Sequence, residues 1–132
     1  MQRTNFAHAH LASASLQGAR IDKADFSEAD LTGASLRKSQ LRESNFTNAV
    51  LNGADLRESN WYCPNLYAAK MNKTDLSCSI WRVPDLSFVD LRQVQIADAD
   101  WECPILWLSK LGGLDLTEMR RFESPRTTGV GK

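Results

Sequence analysis

The side chains of this sequence best suited to metal ligation or nucleophilic chemistry are two histidines and three cysteines. His8 and His10 form an H-x-H pair, a spacing that can hold a metal, yet no third ligand accompanies them, and a solvated surface pair is the expectation. Cys63, Cys78 and Cys103 are odd in number and contain no C-x-x-C pair, so they suggest plain thiols rather than a disulfide framework or a zinc site. Carboxylates recur at Asp25, Asp30, Asp55, Asp75, Asp85, Asp90, Asp100 and Asp115, each just before a large apolar residue. That regularity points to turn chemistry rather than to an acid–base pair. The sequence contains no Gly-rich phosphate loop, G-x-S-x-G or H-E-x-x-H motif. The expectation is a chain with no catalytic residue, no metal and no cofactor.

Composition narrows the partners. The chain has 132 residues, 16 Lys and Arg against 16 Asp and Glu, and 42% hydrophobic residues, the profile of one soluble domain. Zero net charge removes the simplest electrostatic attraction to nucleic acid or an anionic membrane, and neither is expected as a partner. No apolar run approaches the ~18 residues that span a bilayer, and the N-terminal segment lacks the apolar centre of a signal peptide, so a cytoplasmic location is expected.

The dominant pattern is a repeat of five. From Phe6 to Leu116 every fifth residue is apolar, giving 23 consecutive positions, and two residues before each of them 17 of the 23 places hold Ala, Ser or Thr. A period of five fits neither the 3.6 of a helix nor the 2.0 of a flat strand, so the chain must turn every five residues. If each segment is one side of a square coil, the large residue and the small one before it point inward and three residues face solvent. Four sides predict a second period of twenty, and it is present. Phe6, Phe26 and Phe46 share one column, Trp61, Trp81 and Trp101 another, and Pro64, Pro84 and Pro104 a third.

Ala24-Asp25-Phe26, Ala29-Asp30-Leu31, Ala54-Asp55-Leu56 and Ala99-Asp100-Trp101 resemble the A-[DN]-L-x-x unit of the pentapeptide-repeat family. The resemblance implies an all-β fold, a right-handed quadrilateral β-helix of about six coils over residues 1–116. Residues 117–132 are then a C-terminal cap and flexible tail, with Leu116–Phe122 forming a short helical turn. The first coil has no covering element before Thr4, which leaves that end open to another molecule or to a preceding part of a longer chain.

Family membership does not itself fix a function. Some relatives mimic DNA and protect gyrase from quinolones, which makes a topoisomerase-directed mimic one alternative. Another is a recognition domain of a larger bacterial effector. Mimicry needs a strongly negative field, whereas Arg37, Lys38 and Arg57 here stand beside Asp55 and Glu58. The outward positions suggest something else. On two adjoining faces the C-terminal coils place Tyr62, Tyr67, Ile80, Val83, Phe88, Ile105, Trp107 and Leu108 where the N-terminal coils place polar residues. A one-sided apolar edge marks a contact surface for a protein partner or for self-association, a homodimer included, unless residues 117–132 fold back over it. The reading is a non-enzymatic protein-binding module.

Overall fold

The computed structural model describes residues 2–123. Its regular elements are six three-residue strands: β1 (Arg20–Asp22), β2 (Gln40–Arg42), β3 (Asn60–Tyr62), β4 (Ile80–Arg82), β5 (Asp100–Glu102) and β6 (Arg121–Glu123). They stack in sequence order as one parallel sheet. The register advances by twenty residues, pairing Ile21 with Leu41, Leu41 with Trp61 and Trp61 with Trp81. Isolated bridges at the same offset, such as Asn5 with Asp25 and His10 with Asp30, carry the other faces. The chain is an all-β solenoid with about five turns from β1 to β6, and residues 2–19 pair with the coil that follows them.

Hydrogen bonds run along the solenoid axis. Phe6 N donates to Asp25 O at 2.6 Å, and Asp25 N donates back to Thr4 O at 2.9 Å. Inside, the aromatic columns stack as the twenty-residue period predicts. Phe6, Phe26 and Phe46 follow one another with ring centroids 4.9 and 4.7 Å apart. The rings of Trp61 and Trp81 stack 4.5 Å apart with their planes 4° from parallel. The small partner sites, Ala24, Ala29, Ala34, Ala49 and Ala54, are buried between these columns, where four large side chains leave little volume.

The turns explain the five-residue step. Except at Gln93 and Glu118, the second residue after each large one from Phe6 to Leu116 has a positive φ, at seventeen non-glycine residues and at Gly18, Gly33, Gly53 and Gly113, and Arg3 shares the conformation. At three of the four corners a turn hydrogen bond closes, as from Ala9 N to Phe6 O, Ala14 N to Leu11 O and Ala19 N to Leu16 O. At the fourth corner Ala24 N instead donates to Ser44 Oγ at 3.3 Å. This corner makes no use of that amide in closing its turn, so proline, which lacks one, fits there at Pro64, Pro84 and Pro104.

The C-terminal end departs from a helical cap. Leu116–Glu118 is a single 3-10 turn, after which Arg121–Glu123 rejoins the sheet. Asp100 pairs with Arg121 and Trp101 with Phe122, an offset of twenty-one rather than twenty. The turn absorbs one extra residue, so the apolar position falls on Phe122, whose ring centre is 6.2 Å from that of Trp101. The expected tail from Ser124 onward lies outside the described residues.

Candidate protein-interaction surface

Two of the five residues in each unit are spent on the interior, which leaves three to define the surface. Those three differ between the two ends of the solenoid. In one column of left-handed corners stand His8, Glu28, Asn48, Ala68, Phe88 and Leu108, and in the next stand Arg3, Lys23, Glu43, Cys63, Val83 and Cys103. Both begin polar and end apolar.

The large exposed hydrophobic residues are Tyr62, Tyr67, Val83, Phe88, Ile105, Trp107 and Leu108, with Trp107 54% and Leu108 62% accessible. All of them lie on the two adjoining faces, within residues 62–108. Ile80, the eighth candidate, is half-buried on the same side. Tyr67 and Phe88 touch across successive coils, with centroids 5.1 Å apart. Ser87, between Tyr67 and Trp107 in its column, is buried. Along the strands of the fourth face a groove of about 570 Å³ runs from β1 to β4, with Tyr62 and Ile80 in its wall. The Arg42 guanidinium sits 5.6 Å from the Tyr62 ring centre, within cation–π range.

Backbone conformation adds a second mark. Val83, Phe88 and Leu108 have φ of 47°, 62° and 54°. Bulky side chains are disfavoured in this region and a β-branched one especially so. In the same columns Glu28 and Asn48 adopt φ of 57°. Fold formation therefore does not require an apolar residue at these places.

The groups that might have done chemistry are accounted for locally. His8 is exposed, with Nδ1 3.7 Å from Glu28. Cys63 and Cys103 are half-buried free thiols and Cys78 is exposed. The repeated aspartates form turns: Asp25, Asp75 and Asp85 each accept the backbone N–H two residues on, at 2.9–3.0 Å. Thr32 donates both its N–H and its hydroxyl to Asp30, whose carboxyl is held below its ordinary pKa by these bonds. Arg92 grips Asp90 at 2.9 and 2.7 Å and, aided by its backbone N–H, holds that pKa down to about 2. No group of three or more metal-ligating side chains that could hold an ion occurs among the described residues.

Asp100 is the exception that sequence reasoning missed. Instead of closing a turn, its carboxylate accepts hydrogen bonds from Arg82 at 3.0 Å, Arg120 at 3.0 Å and Arg121 at 2.9 Å. Burial pushes this carboxyl up, but the bonds from Arg121, Arg82 and Arg120 outweigh it and hold it below the ordinary value. The cluster latches β6 to β5. Its signal in the sequence is positional: Asp100 follows Arg20, Gln40, Asn60 and Ile80 in its column, with Arg120 and Arg121 one coil further on.

The comparisons agree with this geometry. Residues 1–27 and 24–60 match the family model of pentapeptide repeats, in eight copies. The same coil continues through β6, so the fold of these repeats extends beyond the matched residues. A pentapeptide repeat protein from the Arabidopsis thaliana thylakoid lumen superposes with a TM-score of 0.69 at 23% identity, over 74% of this chain and 70% of that one. A pentapeptide repeat protein from Nostoc, alr5209, gives 0.44 at 25% identity, over 91% and 86%. QnrB1, a plasmid-mediated fluoroquinolone resistance protein, gives 0.40 at 15% identity, over 92% and 79%. No curated protein matches the sequence. Among the described residues no helix is long and apolar enough to cross a membrane.

Proposed function

We propose that this chain is a non-enzymatic protein-binding module and that its contact surface is the apolar edge from Tyr62 to Leu108. One observation carries the reading: large apolar side chains are exposed on two adjoining faces of the C-terminal coils, three of them at left-handed corners that polar residues fill elsewhere. Exposed aromatic clusters are the usual anchors of interfaces, and solvent gives no reward for placing them there. A DNA-like reading is not favoured, because on the opposite side the charges alternate and pair off. Arg37 meets Glu58 at 2.6 Å and Arg57 meets Asp55 at 2.8 Å.

The test is a pair of variants, Phe88→Glu and Trp107→Glu, assayed for melting temperature and for capture of partners from the source extract. The expected result is unchanged melting with capture lost. Variants that unfold would make these residues part of the core, and variants that capture the same partners would move the surface elsewhere.

A further inference from the structure

The edge has an internal symmetry that identifies what it fits. Along the solenoid axis it is built on three successive rungs, and the ladder bonds fix which residues line up. Cys63 N donates to Arg82 O and Val83 N to Glu102 O, which aligns Cys63, Val83 and Cys103. Ala68 N donates to Ser87 O and Phe88 N to Trp107 O, which aligns Tyr67 with Ser87 and Trp107, and Ala68 with Phe88 and Leu108. In the columns of Val83, Ser87 and Phe88 the middle rung is flanked by residues that complement one another, whereas the columns of Arg82 and Asp85 set Tyr62 against Glu102 and Asn65 against Ile105. Cysteine stands on both sides of Val83, aromatic rings stand on both sides of Ser87, and small Ala68 and large Leu108 stand on either side of Phe88.

We infer that the occupant of this edge is a second copy of the chain, packed antiparallel about a two-fold axis through the Val83–Phe88 rung. This rests on the reading of the edge as a contact surface. A two-fold axis perpendicular to the solenoid places each residue of one outer rung against the other outer rung of the second copy. Leu108 then faces the small Ala68, Tyr67 faces Trp107, and Phe88 meets Phe88 at the centre. Arg82 and Asp85 on the axial rung contribute one charge of each sign per copy, so the dyad gathers no net charge. Zero net charge over the whole chain removes long-range repulsion between copies.

The area is of the right size. Seven large residues, 41–62% exposed, present on the order of 700 Å² per copy if an aromatic side chain covers 150–250 Å². A standard stable interface buries roughly 800 Å² on each partner. The N-terminal coils stay outside the contact, and their polar corners give it an end.

The same symmetry makes a prediction that no other packing shares. Cys63 of one copy faces Cys103 of the second, twice per dimer. Within one copy these two residues are two rungs, about 10 Å, apart, beyond the reach of a disulfide. The experiment uses the full chain carrying Cys78→Ser, so that the exposed third thiol does not react. Molar mass is read by light scattering across concentration. The protein is then oxidised in air with copper phenanthroline, each thiol pair giving up two protons and, through Cu(II), two electrons to dioxygen, and the linked peptides are mapped. The expected result is a dimer joined through Cys63 and Cys103, with Phe88→Glu returning the mass to that of one chain. Glu28 already occupies the equivalent corner at φ of 57°, so the variant has a precedent for folding.

A monomer at all concentrations, with Phe88→Glu folded, overturns the second copy while the contact surface stands for another protein. If Phe88→Glu unfolds, the surface itself fails. Links between Cys63 and Cys63, or masses growing beyond two chains, overturn the antiparallel dyad.

Discussion

Two tryptophans in one column have a partner for the indole N–H, and the third does not. Trp61 Nε1 donates to Ser59 Oγ at 2.7 Å and Trp81 Nε1 to Ser79 Oγ at 2.6 Å. Trp101 Nε1 is buried without any partner. The cause is one residue: Ala99 stands in the column that provides Ser59 and Ser79. Those serines are themselves satisfied, since Ser79 Oγ donates to Leu76 O at 2.5 Å and Ser59 Oγ donates to Leu56 O. A serine at 99 has Ile96 O in the corresponding place. An orphaned buried donor costs about 1–3 kcal/mol, and a hydrogen bond contributes ~1 kcal/mol net. Against this stands the burial of a new hydroxyl, which its own bond to Ile96 O largely offsets. Ala99→Ser is therefore expected to stabilise by about 1 kcal/mol, a rise in melting temperature of ~3–5 °C for a domain of this length. Ser79→Ala has the opposite sign, because it reproduces the orphan at Trp81, and should destabilise by ~1–3 kcal/mol. Urea unfolding followed by tryptophan fluorescence measures both. If Ala99→Ser leaves the midpoint unchanged or lowers it, the orphan carries no cost and the column argument is wrong.

Leu56→Asp places an unpaired charge among fully buried side chains and is expected to abolish the fold, read as loss of the circular dichroism of the native sheet and of protease resistance. Asp100→Asn removes the charge that three arginines share. Because those arginines are 30–61% exposed and can rehydrate, the cost is roughly 1–3 kcal/mol, and trypsin cleavage at Arg120 and Arg121 should accelerate while the N-terminal coils stay intact. Acid should loosen the solenoid. The carboxyls of Asp30, Asp55, Asp90, Asp100 and Asp115 are all held below their ordinary value of 3.8, so their contribution is complete above that value and is lost as pH falls through their folded values, about 2 for Asp90. Urea midpoints measured from pH 5 to pH 2 should lose this contribution below about pH 3.8, and a profile flat from there to pH 2 would contradict the shifts.

Much of this fold was legible because a solenoid repeats its own evidence. Phe6 alone says little, but Phe26 and Phe46 at the same offset state a column, and the stacked rings follow. The inward alanines and the turn aspartates were legible for the same reason. What escaped were features that occur once. The extra residue near Met119 shifts the register from twenty to twenty-one, so counting by fives reaches Arg121 and passes Phe122 by. Asp100 matches the repeat by residue type, and only the coil to come shows that Arg120 and Arg121 claim its carboxylate. The fourth corner, which forms no turn hydrogen bond, was signalled by three prolines, although nothing in their spacing says what the amide at that place does elsewhere.

The separation of interior from surface is what makes the apolar edge interpretable. In most folds a bulky residue at a half-exposed place can serve the core and a contact at once, and its presence argues for neither. Here the interior takes its two positions from every five, and the remaining three recur often enough to show what the fold alone requires. At the corner of Phe88 and Leu108 it is satisfied by His8, Glu28, Asn48 and Ala68. At the corner of Val83 it is satisfied by Arg3, Lys23 and Glu43, none of them β-branched. Every residue in these columns adopts the left-handed conformation, so what sets the exposed apolar ones apart is a solvation cost that a neighbouring coil avoids, with a further backbone cost at β-branched Val83. Costs of that kind persist where something outside the fold repays them, and the bound surface proposed for this edge would supply that repayment.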